Sequence, residues 1–308
     1  IKNELGMGLV TTEWLVTGFA AISCGLICIC GQLGDVFGHA KMLMLGLILS
    51  VIGNFLFCLG FDVSLVMIGS VFRGMGAACI IPCSISTIRT SFPPEKLMSV
   101  ISWWSVLTFS GFAFGPLFAG LGAMANWRII FWVAFGLFIF AALALHATRD
   151  LHPKLAQKNK KVDWLGTLLL SSSIIIFVIL ISEGAFWGWS SAPMIVLYSV
   201  CPVLFILFLI SQNYVKNPIV IYSQIKDYHF LSGMVLAFVT LFVFYPILYF
   251  YTVYAESPTG LNFKPYLAGA TIVPVGFWIV FLAYHTKKIV SILGITWMCI
   301  LGCAFMLA

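Results

Sequence analysis

Gly31-Gln32-Leu33-Gly34-Asp35-Val36-Phe37-Gly38-His39-Ala40-Lys41 lies between two long apolar runs and holds three glycines and two opposite charges. Glycine lets helices approach closely and lets a chain reverse at little steric cost. Asp35 and Lys41 stand where such a chain would leave a bilayer. Alone, the stretch has two readings: a polar hairpin between membrane helices, or a site whose charges act. The surrounding chain has to decide.

The chain has 308 residues, of which 62% are hydrophobic and 8% charged, with a mean hydropathy of +1.09. A soluble domain carries about a quarter charged residues. Apolar runs of about 18 residues or more recur along the whole length, each matched to a bilayer core. Barrel strands would be shorter and would alternate. The expected fold is therefore all-α, a polytopic bundle of membrane helices in the lipid bilayer. A net charge of +6 then bears on loop orientation and not on nucleic acid, for which no binding is expected. Cys24, Cys28, Cys30, Cys58 and Cys79 sit in apolar runs and read as small buried hydrophobes, with neither a disulfide framework nor a metal site implied. The polar first residues do not read as a signal peptide, and the apolar run still open at Ala308 reads as part of a longer chain.

Ten spans are predicted, at about 14–30, 42–61, 65–88, 99–121, 128–147, 164–182, 193–212, 231–254, 266–284 and 289 to the end. Lys and Arg in alternate loops divide twelve to three: Lys41, Arg89, Lys96, Arg149, Lys154, Lys158, Lys160, Lys161, Lys216, Lys226, Lys287 and Lys288 against Lys2, Arg128 and Lys264. Such a bias over short loops places the 31–41 stretch on the cytoplasmic side of a plasma or inner membrane.

The remaining cation, Arg73, lies inside a span, where insertion costs about 2.5–3.5 kcal/mol. It has two readings, a residue of a gating or substrate path and an Arg held structurally by a neighbouring helix. Asp35, Asp62, Glu95, Asp163, Glu183 and Glu256, with His39, His146, His152, His229 and His285, are expected at span ends or in loops. No proton carrier is therefore expected within the membrane. The fourth span carries Gly111, Gly115-Pro116 and Gly120. Gly111 and Gly115 share a face and are expected to seat a neighbouring helix, while Pro116 bends the span.

These residues together resemble the fourteen-helix drug:proton antiporter branch of the major facilitator superfamily. Gly31-x-Leu33-Gly34-Asp35-x-Phe37-Gly38-His39-x-Lys41 is similar to its signature loop between helices 2 and 3, with Val36 and Ala40 where basic residues are common. Gly111-x-x-x-Gly115-Pro116-x-x-Ala119-Gly120 resembles its helix 5 antiporter signature, with Ala119 where a glycine is usual. Trp127-Arg128-Ile129-Ile130-Phe131 resembles the start of helix 6. Asp163-Trp164-Leu165-Gly166 and Ser182-Glu183-Gly184 with Trp187-Gly188-Trp189 resemble the bounds of helix 7, and Ala268-Gly269 with Pro274 resembles helix 10. In helix 4 the family's Arg position falls on Ser70, with Arg73 one turn displaced.

The resemblance implies an N-terminal bundle over 1–147 (family helices 2–6), a cytoplasmic linker over 148–163, two inserted helices over 164–212 (family helices 7 and 8), and the start of an incomplete C-terminal bundle over 213–308 (family helices 9–11). It implies a monomeric secondary transporter that is no enzyme and needs no cofactor, exporting lipophilic drugs or other small molecules against protons by alternating access. Gly31, Gly34, Asp35, Gly38 and Lys41 would form a gate, and Gly111, Gly115, Pro116 and Gly120 would shape helix 5 at the bundle interface. Arg73, Ser70, Trp103 and Trp104 would border the substrate path. Trp103, Trp104, Phe109, Phe112 and Phe114 suit a lipophilic ligand, or equally face lipid. A transporter-like receptor and an uptake symporter are the alternatives. No His-Glu-x-x-His and no Gly-x-Ser-x-Gly occurs to suggest an enzyme.

Overall fold

The computed structural model describes residues 5–149, 162–215, 218–219 and 226–307, which contain helices and no strand. Lys2, the linker lysines Lys154, Lys158, Lys160 and Lys161, Lys216 and the side chains of Phe112 and Lys287 lie outside the described residues. The helices are α1 (Leu9–Phe37), α2 (His39–Leu59), α3 (Val63–Ser91), α4 (Pro94–Ala125), α5 (Arg128–Ala147), α6 (Trp164–Trp187), α7 (Ala192–Ser211), α8 (Tyr228–Glu256) and α9 (Pro265–Leu307).

Nine segments of the described residues are long and apolar enough to cross a membrane, where ten spans are predicted. The difference lies at the end of the chain. The polar residues Thr286 to Lys288 do not stop α9, which runs for 43 residues and breaks instead at Gly294 (φ 74°), a conformation natural to glycine. Elsewhere local chemistry sets the ends. Gly60 closes α2 in the left-handed region. Pro94 opens α4 at a position where its missing N–H costs nothing. The Asp163 carboxylate accepts the Gly166 N–H at 2.8 Å and caps α6.

The chain parts into two compact units, Ile1–Ser91 with Phe131–Ala237, and Phe92–Ile130 with Phe238–Ala308. In the first, α3 packs against both α1 and α2. A methyl at Gly53 would lie 2.8 Å from the Gly69 carbonyl oxygen, and one at Gly69 would lie 3.0 Å from that of Gly53. Seven residues along each helix the arrangement recurs. A methyl at Gly46 would lie 2.9 Å from the Gly76 oxygen, and one at Gly76 would lie 2.8 Å from that of Gly46. Two reciprocal glycine pairs thus bring the α2 and α3 backbones together, the small-residue packing that holds helices where lipid removes the hydrophobic drive. On the α1 side, a methyl at Gly74 would lie 3.0 Å from the Phe19 carbonyl oxygen. Below this seam Cys30, Cys79 and Cys83 are buried with Met42 and Ala78, and the Cys30 and Cys79 sulfurs are 3.1 Å apart. Cys58 is buried as the sequence suggests, whereas Cys24 is exposed.

The second unit is built on the pair α4 and α9. Gly120 lies on the backbone of Pro265 and Tyr266, and Gly269 on that of Pro116 and Leu117, so this crossing is again reciprocal. The edge of one ring meets the face of the other in the Trp103–Tyr284 pair, centroids 5.5 Å apart, further along the same helices.

Gly76→Ala is expected to lower the thermal stability of the full-length protein by ~1–3 kcal/mol, because Ser50 and the Gly46 carbonyl leave no room for the methyl. Gly111→Ala, where a methyl meets open space, is expected to be neutral or to stabilise by up to ~1 kcal/mol. Thermal denaturation in detergent, followed by the loss of monomeric protein on gel filtration, compares the two.

Candidate functional site

The 31–41 stretch is not an open loop. Helix α1 continues through Gly31, Gly34 and Asp35 to Phe37, and α2 begins at His39, so the reversal is made by Gly38 alone (φ 99°). Backbone amides near a membrane surface keep their helical partners, and the polar residues expected to open a turn extend the helix instead. The glycines accordingly have different work. Gly38 supplies the backbone angle. Gly34 supplies space, since a methyl there would fall 3.1 Å from the Cys83 sulfur and against the His39 ring. Gly31 has room, its nearest neighbour being Pro82 at 3.9 Å. Across the Gly38 break, His39 Nε2 lies 3.2 Å from Asp35 Oδ1, while its Nδ1 is buried with no hydrogen-bond partner among the described residues. Lys41 stands exposed in the first turn of α2.

Arg73 is held by three aromatic rings. Its guanidinium carbon lies 4.8 Å from the centre of Phe57, 5.2 Å from Phe131 and 5.6 Å from Phe19, and the Phe57 and Phe131 rings stack at 4.4 Å. The rings come from α2, α5 and α1, so the cation on α3 sits at the meeting of four helices. Among the described residues no carboxylate lies within ion-pairing distance of it. Ring faces present negative charge, and each such contact contributes ~0.5–2 kcal/mol when water is excluded. Ser70, one turn earlier, is buried and donates its hydroxyl to the Leu15 carbonyl at 2.6 Å, which ties α3 to α1.

A second polar feature joins the signature stretch to α6. Gln32 Oε1 accepts from the Thr167 hydroxyl at 3.2 Å, and that hydroxyl also faces the Asp163 carbonyl at 2.6 Å. Asp163 Oδ2 accepts from Gln212 Nε2 at 2.8 Å, and Gln212 Oε1 accepts the Ile219 N–H at 2.6 Å. Asp163, Thr167 and Gln212 are all buried, and their bonds are charge-assisted or satisfied as a buried network requires. Gly166 is obligatory here, for a side chain would displace Asp163 or Gln212.

In the second unit the helix 5 signature divides. A methyl at Gly111 or Gly115 meets no described atom within 4 Å, so no described helix seats against either glycine. At about 100° per residue, Gly111 points half a circle away from Gly120, which makes the contact with α9. Trp103 is exposed beside Tyr284, Trp104 is half-buried, and Phe114 is exposed. The aromatic cage and the Gln32 clasp carry no signal in sequence spacing, since their members are far apart in the chain. Asp163 alone is foreseeable, three residues before the amide it caps.

A bundle of long apolar helices, with a caged cation and glycine crossings, is the build of a polytopic membrane protein. The chain belongs to the Major Facilitator Superfamily, whose model matches residues 1–308. It is an integral multi-pass membrane protein. Among its relatives are the methylenomycin A resistance protein of Bacillus subtilis, 26% identical over 89% of this chain and 58% of that protein, and the lincomycin resistance protein LmrB of the same organism, 26% identical over 98% and 63%. The quinolone resistance protein NorB of Staphylococcus aureus is 26% identical over 71% of this chain and 47% of its own length. The chain therefore spans about half to two-thirds of the relatives that it matches.

Phe57→Leu, which keeps apolar volume and removes the nearest ring, is expected to destabilise by ~0.5–2 kcal/mol. In a double-mutant cycle with Arg73→Met the two changes should be non-additive; additivity would reduce the rings to packing. At the hinge, Gly34→Ala is expected to lower the melting temperature and Gly31→Ala to leave it unchanged.

Proposed function

We propose that the protein is a proton-coupled exporter of lipophilic small molecules that works by alternating access, in the fourteen-helix branch of the superfamily. The observation that carries this reading is the antiporter signature and what it touches. Its Pro116 and Gly120 cross Gly269 and Pro265, so that the segments resembling family helices 5 and 10 approach backbone to backbone. Such a crossing suits two bundles that rock about a midplane site while a tight seam limits leak. Support also comes from relatives named for resistance to methylenomycin A and lincomycin, and from one named for tetracenomycin C resistance and export.

In this reading the N-terminal bundle, the 148–163 linker, the inserted helices and the C-terminal segment keep the order given by the sequence, and the Gly38 hinge faces the cytoplasm by the distribution of Lys and Arg. Asp35 contributes to the outward-facing state through the positive end of a helix in the opposite bundle. Trp103 and Trp104 border the path of an apolar ligand, and Arg73 in its cage supplies a fixed positive charge to the N-terminal bundle. The protein acts as a monomer.

Reconstituted full-length protein, loaded with ethidium inside vesicles and given a proton gradient directed inward, tests this. Efflux that nigericin abolishes is the expected result. Ethidium binding without flux would make the protein a receptor, and gradient-driven accumulation in the other direction a symporter; either outcome replaces the proposal. Asp35→Asn is expected to slow efflux about two- to fivefold, equivalent to ~0.3–1 kcal/mol of lost helix-terminus interaction.

A further inference from the structure

The carboxyl of Glu183 has no place in the site described above, yet it is among the most enclosed side chains of the protein. Expected at the end of a span, it lies instead within α6, which continues one further turn to Trp187. Glu183 is 1% exposed, and its Oε2 atom is buried without a hydrogen-bond partner among the described residues. It is the only ionisable residue in the 24 residues of α6, about 30 Å along the helix from the Asp163 cap. The adjoining Gly184 lies beneath the Trp189 ring, which closes over this end of the helix.

The elements packed against α6 are α1 and α7. From α1 the group that acts on Glu183 is Glu13, exposed and of like sign; the other ionisable residues of α1, Cys24, Cys28, Cys30 and Asp35, lie towards its opposite end. Helix α7 has no Asp, Glu, Lys, Arg or His, and its Tyr198 and Cys201 line an apolar groove with Phe177 and Ile181. No cation among the described residues lies within ion-pairing distance of Glu183. An unpaired carboxylate enclosed in this way costs several kcal/mol. An organic cation is too large to reach a side chain so enclosed, whereas a proton is not.

We propose that Glu183 is a proton-exchange site of the protein, set at the end of α6 away from the Asp163 clasp. A proton taken from hydronium forms an O–H bond on the Glu183 carboxyl, and the same bond breaks when the proton returns to water. The use of this site in coupled export rests on the function proposed above; its protonation does not.

Infrared difference spectra of the full-length protein in lipid nanodiscs, titrated between about pH 5 and 9, test the site without any transport. The expected result is a carboxylic-acid carbonyl band that titrates in the wild type and is missing in Glu183→Gln. A band unchanged in Glu183→Gln overturns the site. If Glu183→Gln does not fold, Glu183→Asp replaces it, and an unmoved midpoint there overturns the site. In the ethidium vesicles, Glu183→Gln should reduce gradient-driven efflux about tenfold, within the usual range of coupling between two ligands, and leave gradient-free ethidium exchange intact. Wild-type protein that shows the band but no efflux would refute the exporter and leave the site standing; unaltered efflux in a Glu183→Gln protein that lacks the band would refute its role in coupling.

Discussion

Backbone contact between α2 and α3, made at Gly46 with Gly76 and at Gly53 with Gly69, is the constraint on which the first unit depends. In lipid there is little gain from gathering apolar side chains, so helices are held by the closeness that small residues permit. The two glycine pairs bring α3 near enough for Arg73, between them in height, to reach rings on three other helices. A larger residue at Gly53 would strike the Arg73 side chain itself, so seam and cage are one arrangement.

The cage alters what an intramembrane Arg means here. A guanidinium among Phe19, Phe57 and Phe131 keeps its charge while giving up water, and among the described residues no carboxylate stands near enough to neutralise it. The positive field remains, fixed by apolar groups that do not titrate. That is a different solution from the paired acid and base common within membranes. Together with the enclosed Glu183 on α6, it gives the first unit two ionisable side chains that lack a partner of the other sign among the described residues.

Length and hydropathy sufficed to place most helices, because a bilayer permits few alternatives. Helix α5 starts at Arg128 and ends at Ala147, as read from Asn126-Trp127-Arg128 and the following apolar run. What failed were the polar ends. Glycines and charges at 31–37 suggested an open turn, yet one residue, Gly38, makes the reversal. A charge in an apolar run reads as the end of a span, which sets Glu183 at a boundary although α6 runs on past it, and Lys287 with Lys288 suggest a break that the helix makes at Gly294 instead. The helix 5 glycines show the related limit. Spacing assigns Gly111 and Gly115 to one face but cannot say which face meets a neighbour, and among the described residues the face in contact is the one carrying Gly120. The cage and the Gln32–Thr167–Asp163–Gln212 clasp depend on residues brought together only by packing, and so leave no local pattern.

The single-residue hinge has a mechanical consequence. Helix α1 runs unbroken for 29 residues, roughly 43 Å, and hands over to α2 without slack. Two rods joined by one glycine cannot absorb a displacement by stretching the connection between them. A tilt imposed at one membrane face must therefore appear at the other as rotation about Gly38 or as movement of the whole pair. With Gln32 bonded to Thr167 just before that pivot, α6 is carried along by the same lever.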